Sequence, residues 1–225
     1  MTLVEASLAY ALHGAARAVA EVIAGRNLNE VLAGLWREMS DLPSGQRGAV
    51  QDLAYSALRR YGREDFLLSR LMEKPLRDGH ARALLLVALS RLAARPEEAH
   101  TIVDQAVEAA GAASRGKYKA LVNGVLRNYL RRQAELEAAA AQDEVARWQH
   151  PRWWIARLRH AYPGDWQALL EAGNGRPPMT LRVNRRRIAE TDYQARLEAA
   201  GLAARPLDGG ALLLERPVPV ERLPG

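Results

Sequence analysis

Residues 116–132 read GKYKALVNGVLRNYLRR, and this stretch decides the fold class. At 100° per residue, one side of a helix collects the apolar side chains of Tyr118, Leu121, Val122, Val125 and Tyr129. The polar side chains lie largely on the opposite side. Because an amphipathic helix buries its apolar side against other elements, the stretch predicts the last long helix, over residues 116–138, of a helical bundle.

The residues before this stretch show similar amphipathic helix patterns. Apolar residues recur at helical spacing from Leu8 to Ile23, and Asn27 can cap a second helix. A third apolar stripe ends near Gly62, and further helices are predicted over 65–73, over 77–94 and from Pro96 to Gly111. Strand-like alternation is absent here. The sequence therefore predicts an all-α bundle of about seven helices.

The composition changes near residue 140, where tryptophans and then prolines and arginines become frequent. Strands are predicted over 179–183 and 211–214, with a helix over 190–200 between them. The last eleven residues contain three prolines and no helical period, which predicts an extended connector. We therefore expect a mainly α protein with a helical domain over 1–140 and a small α/β connector domain over 141–225.

The positive charge is unevenly distributed. The formal net charge is +6, of which residues 1–111 contribute −1 and residues 112–225 contribute +7. A local surplus of this kind is typical of proteins that bind a polyanion such as a nucleic acid.

Several other classes of protein are disfavoured. The apolar stretches are shorter than the roughly 20 residues that cross a bilayer, so no membrane partner is expected. The N-terminus lacks the pattern of a signal peptide, and the chain contains no cysteine, which indicates a cytoplasmic protein without disulfides or thiolate metal sites.

No self-contained catalytic site is recognisable. The segment 111–118 nearly matches a phosphate-binding loop, but Tyr118 stands where the hydroxyl ligand of magnesium would be, and the preceding residues are helical in pattern. The five histidines show no spacing typical of a helical metal site. Glycine-rich cofactor loops and nucleophile elbows are absent. We expect no catalytic residue, metal or cofactor within these 225 residues.

Two basic clusters remain as candidate RNA-binding sites. The helix cluster consists of Lys117, Lys119, Asn123, Arg127 and Arg131. The strand cluster consists of Arg176, Arg182, Asn184, Arg185, Arg186 and Arg187, whose guanidinium groups can meet successive phosphates. An ordinary solvated helix surface and a solvated strand end are the alternative interpretations.

The helix that carries the helix cluster also contains a glycine, Gly124, near its middle. Such a glycine costs about 1 kcal/mol relative to alanine, which suggests that something approaches the backbone closely there. Either RNA or another helix would explain it.

Particular segments resemble a known family. Residues 119–127 (KALVNGVLR), 52–62 (DLAYSALRRYG) and 103–107 (VDQAV) resemble the NusB-type helical domain. That domain occurs alone as a transcription antitermination factor, and fused to the RsmB-type 16S rRNA cytosine-5 methyltransferases. Residues 150–154 (HPRWW), 174–184 (NGRPPMTLRVN) and the terminal LPG resemble the connector of those methyltransferases, which a free-standing NusB lacks.

The resemblance implies a role in RNA binding. Its partner would be 16S rRNA, and we expect a monomer. Family members continue into a Rossmann-like domain that binds S-adenosylmethionine and attacks the cytosine with a cysteine thiolate. We therefore expect this chain to be an RNA-docking front end that precedes such a catalytic domain. The alternatives are an antitermination factor that binds boxA-type RNA with a ribosomal protein, and a protein-interaction module whose basic surface is incidental.

Overall fold

The computed structural model describes residues 7–38, 43–113 and 116–225. The chain forms two compact units, the first extending through Asn174 and the second from Gly175 to Gly225. The prediction of a helical bundle followed by a small α/β domain is confirmed. The boundary expected at residue 140 remains a prediction.

The first unit is entirely helical among its described residues. It contains α1 (Leu8–Ile23), α2 (Leu28–Glu38), α3 (Ser44–Arg59), α4 (Tyr61–Leu71), α5 (Gly79–Ala94), α6 (Ala99–Ala112), α7 (Lys119–Arg131), α8 (Gln133–Gln142), α9 (Glu144–Trp148), α10 (Arg152–Ala161) and α11 (Trp166–Asn174). A 3₁₀ turn, Pro96–Glu98, precedes α6.

Local sequence explains several helix starts. The Ser7 hydroxyl accepts a hydrogen bond from the Tyr10 amide, and the Asn27 side chain accepts one from the Asn29 amide at 2.9 Å. Asp78 caps α5 in the same way through the Ala81 amide. These caps satisfy amides that have no partner within their own helices.

Two expected boundaries differ from the structure. Gly62 does not end a helix but lies in the first turn of α4, because α3 stops at Arg59 and α4 starts at Tyr61. The single helix expected over 116–138 is divided at Arg132, whose φ and ψ are −108° and 16°. The break lets α7 pack on α5 and α6 while α8 packs on α4 and α9.

The centre of the bundle is α5. Every residue from Ala83 to Ser90 is buried, and α5 contacts α1, α3, α4, α6 and α7. A helix that is apolar all round must be covered on every side, so the other helices are arranged around it. The buried apolar sides of α1 and α7 belong to the same core.

A buried polar cluster joins α4 to α7 and α8. Glu64 is fully buried, and its carboxylate accepts a 2.7 Å hydrogen bond from Arg60 Nε. Arg63 forms an ion pair with Glu137, and the hydroxyl of buried Tyr129 donates to Glu137 at 2.9 Å. Burial raises the pKa of Glu64, and the charge of Arg60 opposes that change.

Two histidines that are distant in sequence meet between α1 and α5. The ring centroids of His13 and His80 lie 4.8 Å apart. Neither His13 Nδ1 nor His80 Nε2 has a hydrogen-bond partner among the described residues. Burial, followed by the nearby His80 and Arg17, lowers the pKa of His13 to about 4, and burial also lowers the pKa of His80.

Helices α9 to α11 enclose a smaller core of their own. Trp148, Ile155 and Leu170 are buried in it, and Trp148 contacts Trp166 with ring centroids 5.1 Å apart. The side-chain amide of Asn174 donates to the Trp148 carbonyl at 3.0 Å. These contacts explain why the tryptophan-rich segment folds as helices of the first unit.

The second unit is a three-stranded antiparallel sheet with one α-helix. Its elements are β1 (Thr180–Arg182), α12 (Glu190–Ala199), β2 (Ala204–Leu207) and β3 (Ala211–Leu214), and the strand order is β1-β3-β2. Val183, Leu197, Leu212 and Leu214 form its core. Strand β2 was not predicted from the sequence. It contains Pro206, and its place at the sheet edge explains how the proline is tolerated.

The C-terminal residues do not form the extended connector expected from their prolines. A 3₁₀ turn spans Val220–Arg222, and Val218 and Leu223 pack against the core of the second unit. Burial of these two apolar side chains provides the physical reason for the difference.

We expect Gly62→Ala to destabilise the first unit. A Cβ at this position would lie 2.9 Å from the Val145 carbonyl oxygen and 3.3 Å from Gln149 Cα, so α4 and α9 would have to separate. The expected loss is about 1–3 kcal/mol of unfolding free energy, measured by urea denaturation. The matched control is Gly124→Ala, where a Cβ meets nothing within 4 Å and a stabilisation of up to about 1 kcal/mol is expected. Equal effects of the two substitutions would contradict the close packing at Gly62.

The His13–His80 contact predicts a loss of stability in acid. The pKa of His13 is about 4 in the folded protein and about 6.5 when unfolded, so the unfolded chain binds the proton first as the pH falls. Unfolding free energy should decrease through this interval, by about 1–2 kcal/mol for His13 after allowance for its partial solvent exposure. Urea denaturation of His13→Gln should show a smaller decrease in unfolding free energy between these pH values than the unaltered chain shows. An unchanged pH dependence in His13→Gln would refute the assignment.

Candidate nucleic-acid interface

The helix cluster lies on the outer side of α7. Lys119, Arg127 and Arg131 are exposed, and Asn123 is half-buried. Lys117 precedes the helix, is exposed, and holds its amine 5.3 Å from the centroid of the Tyr118 ring. The opposite side of α7 is buried in the bundle through Val122, Val125, Leu126 and Tyr129. The core therefore fixes which side of α7 faces solvent.

The arginines of this helix have uncharged partners. Arg127 Nε donates to Asn123 Oδ1 at 3.0 Å, and an Arg131 Nη donates to Asn128 Oδ1 at 2.9 Å. Neither forms an ion pair with a carboxylate in the described part of the chain. The next residue, Arg132, is different because it forms an ion pair with Glu135 at 2.7 Å. The charges of Arg127 and Arg131 thus remain available to an external anion.

Gly124 lies on the open side of α7. Gly124 and its neighbour Ala120 are exposed, and a Cβ built on Gly124 would meet nothing within 4 Å. Among the residues described, no second helix covers this backbone. Of the two explanations considered for the glycine, helix packing is therefore wrong, and the surface is accessible to an external ligand.

A groove runs between α6 and α7 beside the helix cluster. Its volume is about 400 Å³, and its apolar part is formed by Val103, Val107 and Leu130. Asn123 and Arg127 border it from α7, and His100 and Asp104 from α6. Because Asp104 repels phosphate, this groove is less suited to the RNA backbone than the outer side of α7.

The strand cluster is presented by β1 and the turn that follows it. Arg182 ends β1, Val183 is buried, and Asn184 starts a turn in which its carbonyl accepts the Arg187 amide at 2.8 Å. The Asn184 side-chain oxygen accepts the Arg186 amide at 3.2 Å. Asn184 therefore has a turn-forming role, and its side-chain NH₂ group remains a donor.

Arg185 differs from its neighbours. Its guanidinium forms an ion pair with Glu190 at 3.2 Å and lies over Gly210, where an added Cβ would be 2.5–2.8 Å from the guanidinium atoms. Gly210 has a φ of +80°, which favours glycine at this position. Arg186 and Arg187 are exposed without a described ion pair. The three consecutive arginines are therefore not equivalent.

Two open cavities border the strand cluster. One, of about 410 Å³, is lined by Arg182, Val183, Asn184, Arg185, Arg186 and Gly209. The other, also of about 410 Å³, is lined by Leu181, Arg182, Val183, Asn184, Arg187, Ile188, Tyr193, Arg196 and Gly225. Arg196, on α12, was not among the candidate residues. The i, i+3 spacing of Tyr193 and Arg196 was the available signal, since it places both on one side of a helix.

The remaining candidates are placed as follows. Arg176 is exposed in the segment before β1. In the loop that resembles a phosphate-binding site, Ser114 and Arg115 lie outside the described residues, and Gly116 has a φ of +79°. No helix in the described part of the chain has the length and apolar character needed to cross a membrane. The described residues also contain no group of three or more histidine, aspartate or glutamate side chains that could hold a metal ion.

Two family models match the chain. The NusB family model matches residues 9–131, which is more than half of the sequence. A second model, described as a ferredoxin-like domain of RsmF/B-like methyltransferases, matches residues 150–221. The helix cluster falls within the first match and the strand cluster within the second.

Alignments with named relatives cover both of these segments. The chain is 37% identical over 217 residues to "Ribosomal RNA small subunit methyltransferase B" of Escherichia coli O6:H1, and 38% identical to the protein of the same name from Shigella flexneri serotype 5b. Each alignment covers 94% of this chain and 49% of the relative. The chain thus spans about half the length of the curated relatives it matches.

The fold also has a solved counterpart. The crystal structure of PH0851 superposes with a TM-score of 0.66 over 97% of this chain and 51% of that protein, at 12% sequence identity. At this identity the likeness supports the architecture alone.

Proposed function

Because this chain belongs to the NusB family, we propose that it is the RNA-binding N-terminal region of a 16S rRNA cytosine-5 methyltransferase. The observation that carries the proposal is the continuous similarity to small-subunit rRNA methyltransferases over 94% of the chain. In this role the chain holds rRNA next to a catalytic domain that uses S-adenosylmethionine. The 225 residues contain no cysteine, so they supply no thiolate nucleophile.

The physical support for RNA binding comes from uncompensated charge. Residues 109–134 contain no aspartate or glutamate, and neither do residues 176–188. Arg132 and Arg185 are paired with glutamates, whereas Arg127 and Arg131 in the first segment, and Arg182, Arg186 and Arg187 in the second, are exposed and have no ion pair in the described part of the chain. Guanidinium groups in this state bind phosphate oxygens with charge-assisted hydrogen bonds, without first breaking an internal ion pair.

A free-standing antitermination factor is the alternative function. The match to the NusB family model is expected for either function and does not discriminate between them. The match of residues 150–221 to a methyltransferase-associated domain favours the methyltransferase, because the antitermination alternative requires only the helical domain. A cytoplasmic, monomeric protein remains our expectation.

The helix cluster gives the first test of this function. Arg127→Ala should weaken binding of a 16S rRNA fragment by about tenfold in fluorescence anisotropy, because one charge-assisted contact is lost. The melting temperature should change little, since Arg127 is exposed and its side chain bonds Asn123 alone among the described residues. Arg132→Ala is the matched control, because it removes the same charge from an arginine already paired with Glu135. Equal affinities of the two variants would reject the helix cluster as an RNA contact.

The strand cluster gives the second test. Arg186→Ala should reduce the slope of log affinity against log salt by about 0.7 to 0.9, as expected for one lost phosphate contact. Arg185→Ala should reduce it less, because Arg185 is already paired with Glu190. If neither substitution alters the slope, the cluster is a solvated turn without a role in RNA binding.

A further inference from the structure

We propose that the cavity between β1 and α12 binds one unpaired RNA nucleotide, with its phosphate held by Arg182, Arg187 and Arg196 and its base against Tyr193. This inference rests on the proposed RNA-binding function and assigns a specific substrate feature to one site. Neither Arg196 nor Tyr193 belongs to the basic clusters recognised from the sequence.

The three arginines reach the cavity from three different elements. Arg182 comes from β1, Arg187 from the turn after it, and Arg196 from the second half of α12. All three are exposed, and none has an ion pair in the described part of the chain. The residues that line the cavity include no aspartate or glutamate, although Gly225, at the end of the sequence, also lines it and lies close to the Tyr193 ring. Three like charges around one opening repel each other unless an anion lies between them.

Besides the three charged groups, the cavity has a neutral hydrogen-bond donor. The side-chain oxygen of Asn184 is used by the Arg186 amide, so its NH₂ group is the part available to the cavity. With the guanidinium groups, this gives a site that is rich in hydrogen-bond donors. Such a site matches phosphate oxygens, which only accept hydrogen bonds.

The other residues that line the cavity are apolar or aromatic, which suits a nucleotide base better than a second phosphate. Leu181, Val183 and Ile188 give the cavity apolar walls, and Tyr193 is half-buried beside them. An aromatic ring at the edge of a basic site is the usual platform for stacking a base of single-stranded RNA. The volume of about 410 Å³ is in the lower part of the range for small-ligand sites. A single nucleotide fits this description, whereas the bases of a duplex are stacked inside the helix and cannot enter.

The test compares two exposed arginines of the same unit. Arg196→Gln and Arg205→Gln each remove one charge, but Arg205 lies on β2 and does not line the cavity. Binding of a fluorescein-labelled single-stranded oligouridylate should weaken about tenfold in Arg196→Gln and less than about twofold in Arg205→Gln. The salt slope should fall by about 0.7 in Arg196→Gln alone. Tyr193→Leu should also weaken this binding while leaving that of a blunt RNA duplex nearly unchanged.

The outcomes separate this inference from the proposed function. If the unaltered chain binds RNA and Arg196→Gln equals Arg205→Gln, the cavity is not the site and the proposed function stands. If the unaltered chain binds the 16S rRNA fragment but not the oligouridylate, this inference fails and the proposed function stands. If it binds neither the oligouridylate nor the 16S rRNA fragment, both fail. If inorganic phosphate shifts the Arg196 side-chain NMR signal but the oligouridylate does not, the cavity binds free phosphate and the nucleotide assignment is wrong. Thermal denaturation of each variant verifies that it is folded.

Discussion

The burial of α5 on all sides is the constraint on which the rest of the helical unit depends. Eight consecutive residues, 83–90, are inaccessible to solvent, so helices must cover every side of this segment. Covering α5 uses the apolar sides of α1, α3, α4, α6 and α7. One side of α7 remains exposed, and its residues are free of packing demands. For α7 that side is the helix cluster, so the orientation of its arginines is a consequence of how the core is closed.

The polar cluster around Glu64 also holds α7 in place, through Tyr129 near the C-terminal end of this helix. A fully buried carboxylate is unfavourable unless its charge is neutralised or hydrogen-bonded, and Arg60 provides both. The cluster continues through Arg63 and Glu137 to the hydroxyl of Tyr129 on α7. Such a network requires specific geometry, because each hydrogen bond depends on the distance and direction of its partners. It therefore sets the register of α7 against α4 and the direction in which α8 leaves it.

The sequence predicted what depends on local pattern. Apolar spacing was sufficient for α1, for the buried side of α7 and for strands β1 and β3, and the family resemblance is confirmed by the two matching models. Features that depend on tertiary contacts were not predictable. The meeting of His13 and His80, the folding of Val218 and Leu223 onto the core, and the pairing of Arg185 with Glu190 all join residues through the fold. For the same reason Arg196 was missed, because its proximity to Arg187 depends on how α12 packs.

Ion pairing distinguishes the arginines of this chain better than their number does. Arginine is frequent throughout, and much of it is neutralised locally, as in the pairs Arg17–Glu38 and Arg91–Glu98. Such pairs contribute little to the external field, because the opposite charge lies within about 3 Å. In the RNA-binding function that we propose, the external field comes instead from arginines with neutral partners or none in the described part of the chain, such as Arg127 and Arg187. The net charge of +6 is typical of a polyanion binder only in general terms, whereas the pattern of uncompensated arginines is what locates the binding sites that we propose.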